Sequence, residues 1–273
     1  MRLQEHLHIL SREGKAILAA NFYNFETLSG ILQAAAVKNC PVILQLSESS
    51  IDYLGVDMAA KMARAGISAY GVKAWLHLDH GGSVEMIRRC LDAGFDSVMI
   101  DASEKPFDEN IRITSEVVKL AEAYQANVEA ELGYIAKLGQ SQAKGSFTDP
   151  DEARRFVEST GVHALAIAVG TAHGFYKETP KLQLDLISGI HRVTTAALVL
   201  HGGSGIDEFQ LKAAIRNGIS KINLATETKN IFMKTLQRIL SHNEEIDLRK
   251  VFPKATAEVV KLIGEKLDVV SLV

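Results

Sequence analysis

The sequence contains few of the features that mark a secreted, membrane-bound or polyanion-binding protein. Its 273 residues include only two cysteines, Cys40 and Cys90, so we expect no disulfide framework and a cytoplasmic, reducing location. No apolar run is long enough to span a bilayer, and charges interrupt the N-terminal segment where a secretion signal is apolar. Lysine plus arginine number 30 against 33 aspartate plus glutamate. The resulting formal charge of −3 gives no basic surplus for binding nucleic acid.

Proline is also scarce, with five residues scattered along the chain, and no linker rich in proline, glycine or serine interrupts it. We therefore expect residues 1–273 to form a single domain. An α/β barrel commonly fills this length with one large core.

An eightfold alternation of short apolar runs and helical patterns occupies most of the chain. The runs are rich in β-branched or apolar residues and are bounded by turn residues, which indicates strands. The eight predicted strands are Lys15–Asn21, Pro41–Leu46, Ala74–Leu78, Asp96–Asp101, Ala126–Glu131, His163–Val169, Ala196–His201 and Ser220–Leu224. The glycines predicted to end the helices before strands are Gly66, Gly94, Gly161 and Gly218. This pattern predicts a (β/α)8 TIM barrel, followed after Thr226 by two or three further helices.

Polar residues follow six consecutive predicted strands. In a barrel of this type the active site lies at the carboxyl ends of the strands, so these residues should meet at one rim. The six strand endings are, in order, HLDHGG, Asp101, EAELG, GTAHG, HGGSG and INLATE. The sequence therefore predicts an active site built from strands three to eight.

Three of these endings supply histidines, namely His80, His173 and His201. Imidazoles from three strands can converge on one divalent ion and leave a position open for substrate, as catalytic zinc requires. Glu131 and Asp101 could complete or flank such a site. His77 precedes them on strand three, and strand alternation leaves open whether it points into the barrel or out.

The endings of strands seven and eight resemble a phosphate site. Loops at this position often bind phosphate, because glycines let backbone N–H groups approach the oxygens and a helix N-terminus favours negative charge. Lys177, in a loop after strand six, either adds a cation there or is a solvated lysine. The residues predicted to form this site are Gly202, Gly203, Ser204, Gly205, Asn223 and Thr226.

With these motifs together, the chain resembles the class II, metal-dependent ketose-bisphosphate aldolases, which include the fructose- and tagatose-bisphosphate aldolases. HLDHG, EAELG, GTAHGFYK, LHGGSG and KINLATE occur in the family's order and spacing. The resemblance implies a TIM barrel and reversible cleavage of a ketose 1-phosphate or 1,6-bisphosphate to dihydroxyacetone phosphate and an aldehyde. It also implies a catalytic Zn²⁺, with room for a second divalent or a monovalent cation, and a homodimer or homotetramer.

The resemblance also implies roles for individual residues. The implied zinc ligands are His80, His173 and His201. Asp79 is implied as the acid/base acting on the C4 oxygen, while Asp101 and Glu131 match an alternative or second metal position. The residues implied around the phosphate of dihydroxyacetone phosphate are Gly174, Lys177, Gly202, Gly203, Ser204, Asn223, Ala225 and Thr226. Ser47 and Arg249 match positions used for the far phosphate, the arginine reaching in from a neighbouring subunit in some members.

Two segments depart from the family pattern. After EAELG, the stretch YIAKLGQSQAKGSFTDP is shorter than the family's mobile loop and has no carboxylate before Asp149. A proton exchange that the loop's acid performs elsewhere would fall here to Tyr134 or a water. The strand-one motif NFYNFETL also differs from the family's Phe-Asn order. Both departures leave open an aldolase for a different phosphorylated sugar or sugar acid.

Three alternatives remain beside this interpretation. One is a metal-dependent sugar-phosphate epimerase or isomerase on the same fold. Another is a non-catalytic sugar-phosphate-binding regulator, which the missing loop carboxylate suggests. A lysine Schiff-base mechanism is disfavoured, because no lysine ends strand six or seven.

Overall fold

Eight parallel strands close into a barrel in the order of the chain, and the last strand pairs with the first. The computed structural model describes residues 1–133, 135, 147–176 and 180–271. The strands are β1 (Ile17–Asn21), β2 (Val42–Ser47), β3 (Ala74–Gly81), β4 (Ser97–Ile100), β5 (Asn127–Leu132), β6 (Ala164–Ile167), β7 (Ala197–Leu200) and β8 (Ile219–Leu224). Each overlaps its predicted run, so the prediction of a (β/α)8 TIM barrel is confirmed.

Helices connect the strands and cover the outside of the barrel. They are α1 (Leu3–Glu13), α2 (Phe25–Lys38), α3 (Glu48–Leu54), α4 (Val56–Tyr70), α5 (Val84–Asp92), α6 (Phe107–Glu122), α7 (Pro150–Thr160), α8 (Leu184–Val193), α9 (Glu208–Arg216), α10 (Thr226–Leu240) and α11 (Leu248–Ser271). The expected C-terminal helices are thus α10 and α11. None of the described helices is both long enough and apolar enough to cross a membrane.

The predicted helix ends are only partly correct. Gly161 ends α7 with a left-handed φ of 66°, as expected. The prediction for Gly66 is wrong, because this residue lies inside α4, which continues to Tyr70 and is capped by Gly71. A Cβ at position 66 would lie 2.6 Å from Leu32 Cδ1, so this glycine allows α4 to pack closely on α2.

Inside the barrel, the composition of the side chains changes from the amino to the carboxyl ends of the strands. Apolar residues fill the first part, and Leu3 and Leu7 of α1, a helix that the sequence analysis did not predict, close it from below. The strand residues of this interior cluster are Ile17, Ala19, Ile43, Trp75, Met99, Ala164, Ala166, Ala197 and Val199. Beyond this cluster the inward side chains are polar, because β3, β5 and β8 carry polar residues at alternate positions. His77 is one of them and is fully buried.

Candidate active site

The end of β3 directs two consecutive side chains into the same rim. Alternation along a regular strand would send Asp79 and His80 to opposite faces. His80 instead has a left-handed φ of 55°, and the β3–β4 register shifts between Leu78 and Gly81. A side chain at Gly81 would place a Cβ 2.7 Å from the Met99 carbonyl oxygen. This local distortion therefore brings both polar side chains to one site.

Four side chains converge at the carboxyl end of the barrel, each offering one ligand atom within 4.8 Å of the others. They are His80, Glu131, His173 and His201. The structure therefore brings together the three histidines and one of the two carboxylates that the sequence placed at the metal site. Nitrogen and oxygen donors of this kind suit zinc and other divalent first-row metals.

Two of these histidines face one another through defined nitrogens. His80 Nε2 lies 3.0 Å from His201 Nδ1. The outer nitrogen of each ring contacts a carboxylate, His80 Nδ1 at 2.7 Å from Asp101 and His201 Nε2 at 2.9 Å from Glu129. A carboxylate on the outer nitrogen fixes the tautomer of a metal-binding histidine. The facing nitrogens can thus present lone pairs to one cation.

The charges around the cluster also favour a cation. Burial opposes the charged form of His80, but the hydrogen bond to Asp101 and the charges of Asp79 and Glu131 raise its pKa to about 9. Burial and the charge of Asp101 raise the pKa of Glu131 to about 8. Glu131 Oε2 is buried and has no hydrogen-bond partner in the part of the chain that the structure describes. Without a metal this site therefore holds protons, which a divalent ion would replace.

Asp101 lies behind His80 instead of among the four ligands. Its Oδ2 contacts His80 Nδ1, and its Oδ1 accepts hydrogen bonds from the Ser103 N–H at 3.1 Å and the Ser103 hydroxyl at 2.7 Å. Although burial opposes ionisation, the bonds from His80 and Ser103 hold the pKa of Asp101 well below its usual range. Of the two expected positions, completing or flanking the metal site, this geometry fits the flanking one, with Asp101 as a partner of His80.

Asp79 is a buried carboxylate held by two amides. Its Oδ2 accepts from Asn21 Nδ2 at 2.9 Å and its Oδ1 from Asn223 Nδ2 at 3.3 Å. Asn21 is fixed in turn, because Gln45 Nε2 donates to its Oδ1 at 2.9 Å. Burial opposes ionisation of Asp79, but His80 and other nearby groups lower its pKa. The structure thus places an ionised base 4.0 Å from His80 Nε2.

Sequence reasoning did not single out Asn21 or Gln45. Asn21 is the last residue of β1, Gln45 lies in the second half of β2, and both side chains are buried. A polar amide at an inward position of an otherwise apolar strand was the signal that could have identified them.

A small polar cavity lies between the cluster of His80, Glu131, His173 and His201, called below the metal-ligand cluster because it could hold a metal, and the N-terminus of α10. Its lining residues are Asn21, Asp79, His173, Gly174, His201, Gly202, Ser204, Asn223, Ala225 and Thr226. Six of the predicted phosphate residues are among them. A helix N-terminus adds partial positive charge that favours an anion. Gly202 has a φ of 69°, and a Cβ there would lie 2.4 Å from the Ala172 carbonyl oxygen, so this position requires glycine.

Gly203, another of the residues predicted at the phosphate site, lies where two loops meet. Its N–H donates to the Asn223 carbonyl oxygen at 3.1 Å and is not free for a ligand. A Cβ at this position would lie 2.8 Å from that oxygen, so Gly203 permits close approach of the two loops. Lys177 and Tyr134 lie outside the described residues.

A larger cavity of about 620 Å³ opens on the other side of Asp79 and His80. Ser47, which the family resemblance implies for the far phosphate, is among the residues that line it. Tyr23 and Lys229, which the sequence analysis did not select, also line it, with Lys229 Nζ 5.8 Å from the centre of the Tyr23 ring. The cavity is thus wide enough for a substrate that extends beyond the metal-ligand cluster.

Arg249 does not reach either cavity within its own chain. Its side chain is 89% exposed and pairs with Asp247 at 3.0 Å. It lines a separate groove between α2 and α11, beside Phe25 and Phe252. The single chain therefore does not place this arginine beside the other predicted site residues.

Comparison with known proteins gives one consistent result. The family model described as "Fructose-bisphosphate aldolase class-II" matches residues 1–272. Two curated relatives from Helicobacter pylori, both named fructose-bisphosphate aldolase, are 35% and 34% identical, each match covering 94% of this chain and 93% of the relative. The crystal structure of the YdjI aldolase from Escherichia coli K12 is 31% identical, with a TM-score of 0.87 over 98% of this chain and 96% of that one.

Proposed function

Since the chain belongs to the class II fructose-bisphosphate aldolase family and is an aldolase, we propose that it uses zinc to cleave a ketose 1-phosphate or 1,6-bisphosphate reversibly. The products would be dihydroxyacetone phosphate and an aldehyde. The observation that carries this proposal is the convergence of His80, Glu131, His173 and His201 beside the ionised carboxylate of Asp79.

The three histidines would hold the catalytic metal, and Glu131 would contribute a fourth ligand or part of a second metal position. When bound there, a divalent ion supplies a Lewis acid for the negative charge that develops on substrate oxygens as the C3–C4 bond breaks. The paired carboxylates behind His80 and His201 support this assignment, because such partners orient metal-binding imidazoles.

Asp79 would act as the acid/base. In cleavage it takes the proton of the C4 hydroxyl, and in condensation it returns that proton to the C4 oxygen. Its lowered pKa keeps it ionised at neutral pH, which is the state that cleavage requires. Asn21 and Asn223 hold both oxygens, so the carboxylate is oriented before substrate binds.

The small cavity at the start of α10 would bind the phosphate shared by all these substrates. Gly174, Gly202, Ser204, Ala225 and Thr226 line it. Asn223 reaches the same cavity with a buried Oδ1 that has no partner among the described residues. The small size and polar lining of this cavity support an anion of phosphate size.

The far end of the substrate would extend into the larger cavity, where Ser47 is proposed to bind a distal phosphate. Arg249 could reach that phosphate only from a second copy, because it lies away from the site in its own chain. The homodimer or homotetramer, the cytoplasmic location and the single domain remain predictions.

The test is a panel of ketose phosphates that differ at C4 and in the distal group, assayed with zinc-loaded protein for dihydroxyacetone phosphate, with and without chelator. We expect release from at least one substrate and its loss with chelator. Fully zinc-loaded protein that releases no triose phosphate would overturn the proposal. Isomerisation without a change in carbon number would instead identify an epimerase or isomerase, and ligand-dependent thermal stabilisation without turnover would identify a regulator.

A further inference from the structure

A set of buried polar side chains lies beneath the metal-ligand cluster, inside the barrel. His201 Nε2 is 2.9 Å from Glu129 Oε1, and Glu129 Oε2 is 2.7 Å from Lys221 Nζ. The side chains of His201 and Glu129 are fully buried, and that of Lys221 is 1% exposed. Burying an ion pair generally stabilises a fold no more than apolar residues of the same volume do. Stability alone therefore does not account for a lysine and a glutamate at this position.

The contacts determine which nitrogen of His201 carries hydrogen. An ionised carboxylate can only accept, so the nitrogen facing Glu129, Nε2, must donate. The Asn223 amide nitrogen lies 3.1 Å from the same atom, but it is itself a donor and has the Asp79 carboxylate at 3.3 Å to bond instead. His201 Nδ1 is then left with a lone pair. This is the nitrogen that faces His80 Nε2 across 3.0 Å.

Lys221 in turn determines how Glu129 is oriented. An ammonium group only donates, so Lys221 requires an acceptor and holds Oε2 of the carboxylate. His77 provides a second acceptor, with its Nε2 3.4 Å from Lys221 Nζ and its Nδ1 2.7 Å from the Ser97 hydroxyl. Because Oε2 is occupied by the lysine, Oε1 is the oxygen presented to His201.

We propose that Lys221 and Glu129 are positioning residues that select the Nε2–H tautomer of His201, so that its Nδ1 is available to a metal. The inference rests on the proposed metal dependence of the enzyme. Asp101 contacts His80 in the same way, but at Nδ1. His80 therefore presents Nε2, and His201 presents Nδ1, to the same point. Losing such a partner typically weakens metal binding about 10- to 100-fold.

The variant Glu129→Gln tests this directly. Lys221 would draw the amide oxygen toward itself and leave the amide NH₂ facing His201 Nε2. His201 would then shift to the Nδ1–H tautomer, with its hydrogen aimed at the metal position. We expect zinc to bind about 10- to 100-fold more weakly, as measured by competition with a chromophoric chelator.

A second substitution should reverse this loss. In the double variant Glu129→Gln with Lys221→Met, the lysine no longer constrains the amide, which can turn its oxygen toward His201. We expect zinc affinity to recover most of the loss seen in Glu129→Gln. A purely structural role for the pair predicts the opposite, namely a double variant no better than the single one. Glu122→Gln, an exposed change at the end of α6, is the matched control.

The tautomer can be read from the ¹⁵N shifts of the imidazole nitrogens in metal-free protein. Wild type should show His201 as Nε2–H and Glu129→Gln as Nδ1–H. A wild-type His201 in the Nδ1–H form would overturn the inference, and this result does not require any variant to fold. Unchanged zinc affinity in Glu129→Gln, or no recovery of affinity in the double variant, would also overturn it. If the tautomers and zinc affinities are as expected but the protein releases no triose phosphate, the proposed function is overturned and the roles of Lys221 and Glu129 are not.

Discussion

Replacing Asp79 with asparagine should nearly abolish turnover and leave the fold intact. The carboxylate is buried, ionised and held by Asn21 and Asn223, so it is the group placed to exchange a proton with the substrate. An asparagine has almost the same shape but cannot accept a proton at neutral pH. Positioned acid/base groups contribute about 10²- to 10⁴-fold in rate. That range corresponds to about 2.7–5.4 kcal/mol of barrier.

The hydrogen-bond network indicates why the variant should fold. Asn21 cannot turn its amide without losing the bond from Gln45, so the new side chain must keep its oxygen toward Asn21. Its NH₂ then faces Asn223, whose Oδ1 has no partner among the described residues and can turn to accept it. One hydrogen bond is exchanged for another, and the expected change in unfolding free energy is within about 1 kcal/mol.

The assay compares kcat for dihydroxyacetone phosphate release at saturating zinc, with metal content and Tm measured on the same samples. Asp108→Asn, an exposed change in the first turn of α6, is the control for a generic loss of one negative charge. A fully metallated Asp79→Asn protein that keeps more than about a tenth of wild-type kcat would refute the assigned role, since it falls outside the range for acid/base groups.

Three further predictions concern the metal site, the phosphate loop and the far end of the substrate. The folded-state pKa values of His80, about 9, and Glu131, about 8, lie above the unfolded values of 6.5 and 4.5. Metal-free protein should therefore lose stability as pH rises, between 4.5 and 8 because of Glu131 and between 6.5 and 9 because of His80. Zinc-loaded protein should lack this fall in Tm, and parallel pH profiles for the two forms would contradict the assignment. Gly202→Ala, whose Cβ would lie 2.4 Å from the Ala172 carbonyl oxygen, should raise KM for every ketose phosphate at unchanged zinc content, and an unchanged KM would show that the loop does not bind phosphate. Ser47→Ala should raise KM for a bisphosphate more than for the matching 1-phosphate, and equal effects would argue against a distal-phosphate role.

The alternation of strand and helix patterns was sufficient to predict the barrel fold and the rim at which most of the site residues lie. The ends of the strands could be predicted because each apolar run is followed by polar residues. This pattern predicted that Asp79 and His80 lie at the same rim, where both line the larger cavity. The sequence could not indicate the left-handed φ of His80, which depends on how β3 packs on β4. The sequence therefore does not explain how Asp79 and His80, which are neighbours in the chain, face one cavity.

Other features depended on contacts between distant segments. The sequence grouped Asp101 with the metal ligands, and only its distance to His80 Nδ1 indicates that it lies behind that ring. The bond from the Gly203 N–H to the Asn223 carbonyl oxygen could not be predicted for a similar reason, because a backbone N–H has no sequence signal for its acceptor. Lys221 has no role that its sequence position predicts, because its pairing with Glu129 depends on closure of the barrel.

Titrating metal-free protein with zinc while measuring dihydroxyacetone phosphate release tests whether catalysis depends on the metal site. We expect this dependence to be complete, with no turnover without metal, turnover that rises in proportion to bound zinc, and a plateau once the cluster of His80, His173 and His201 is filled. Turnover by protein shown to contain no metal would contradict it, as would a fully loaded chain that releases no triose phosphate from any ketose phosphate.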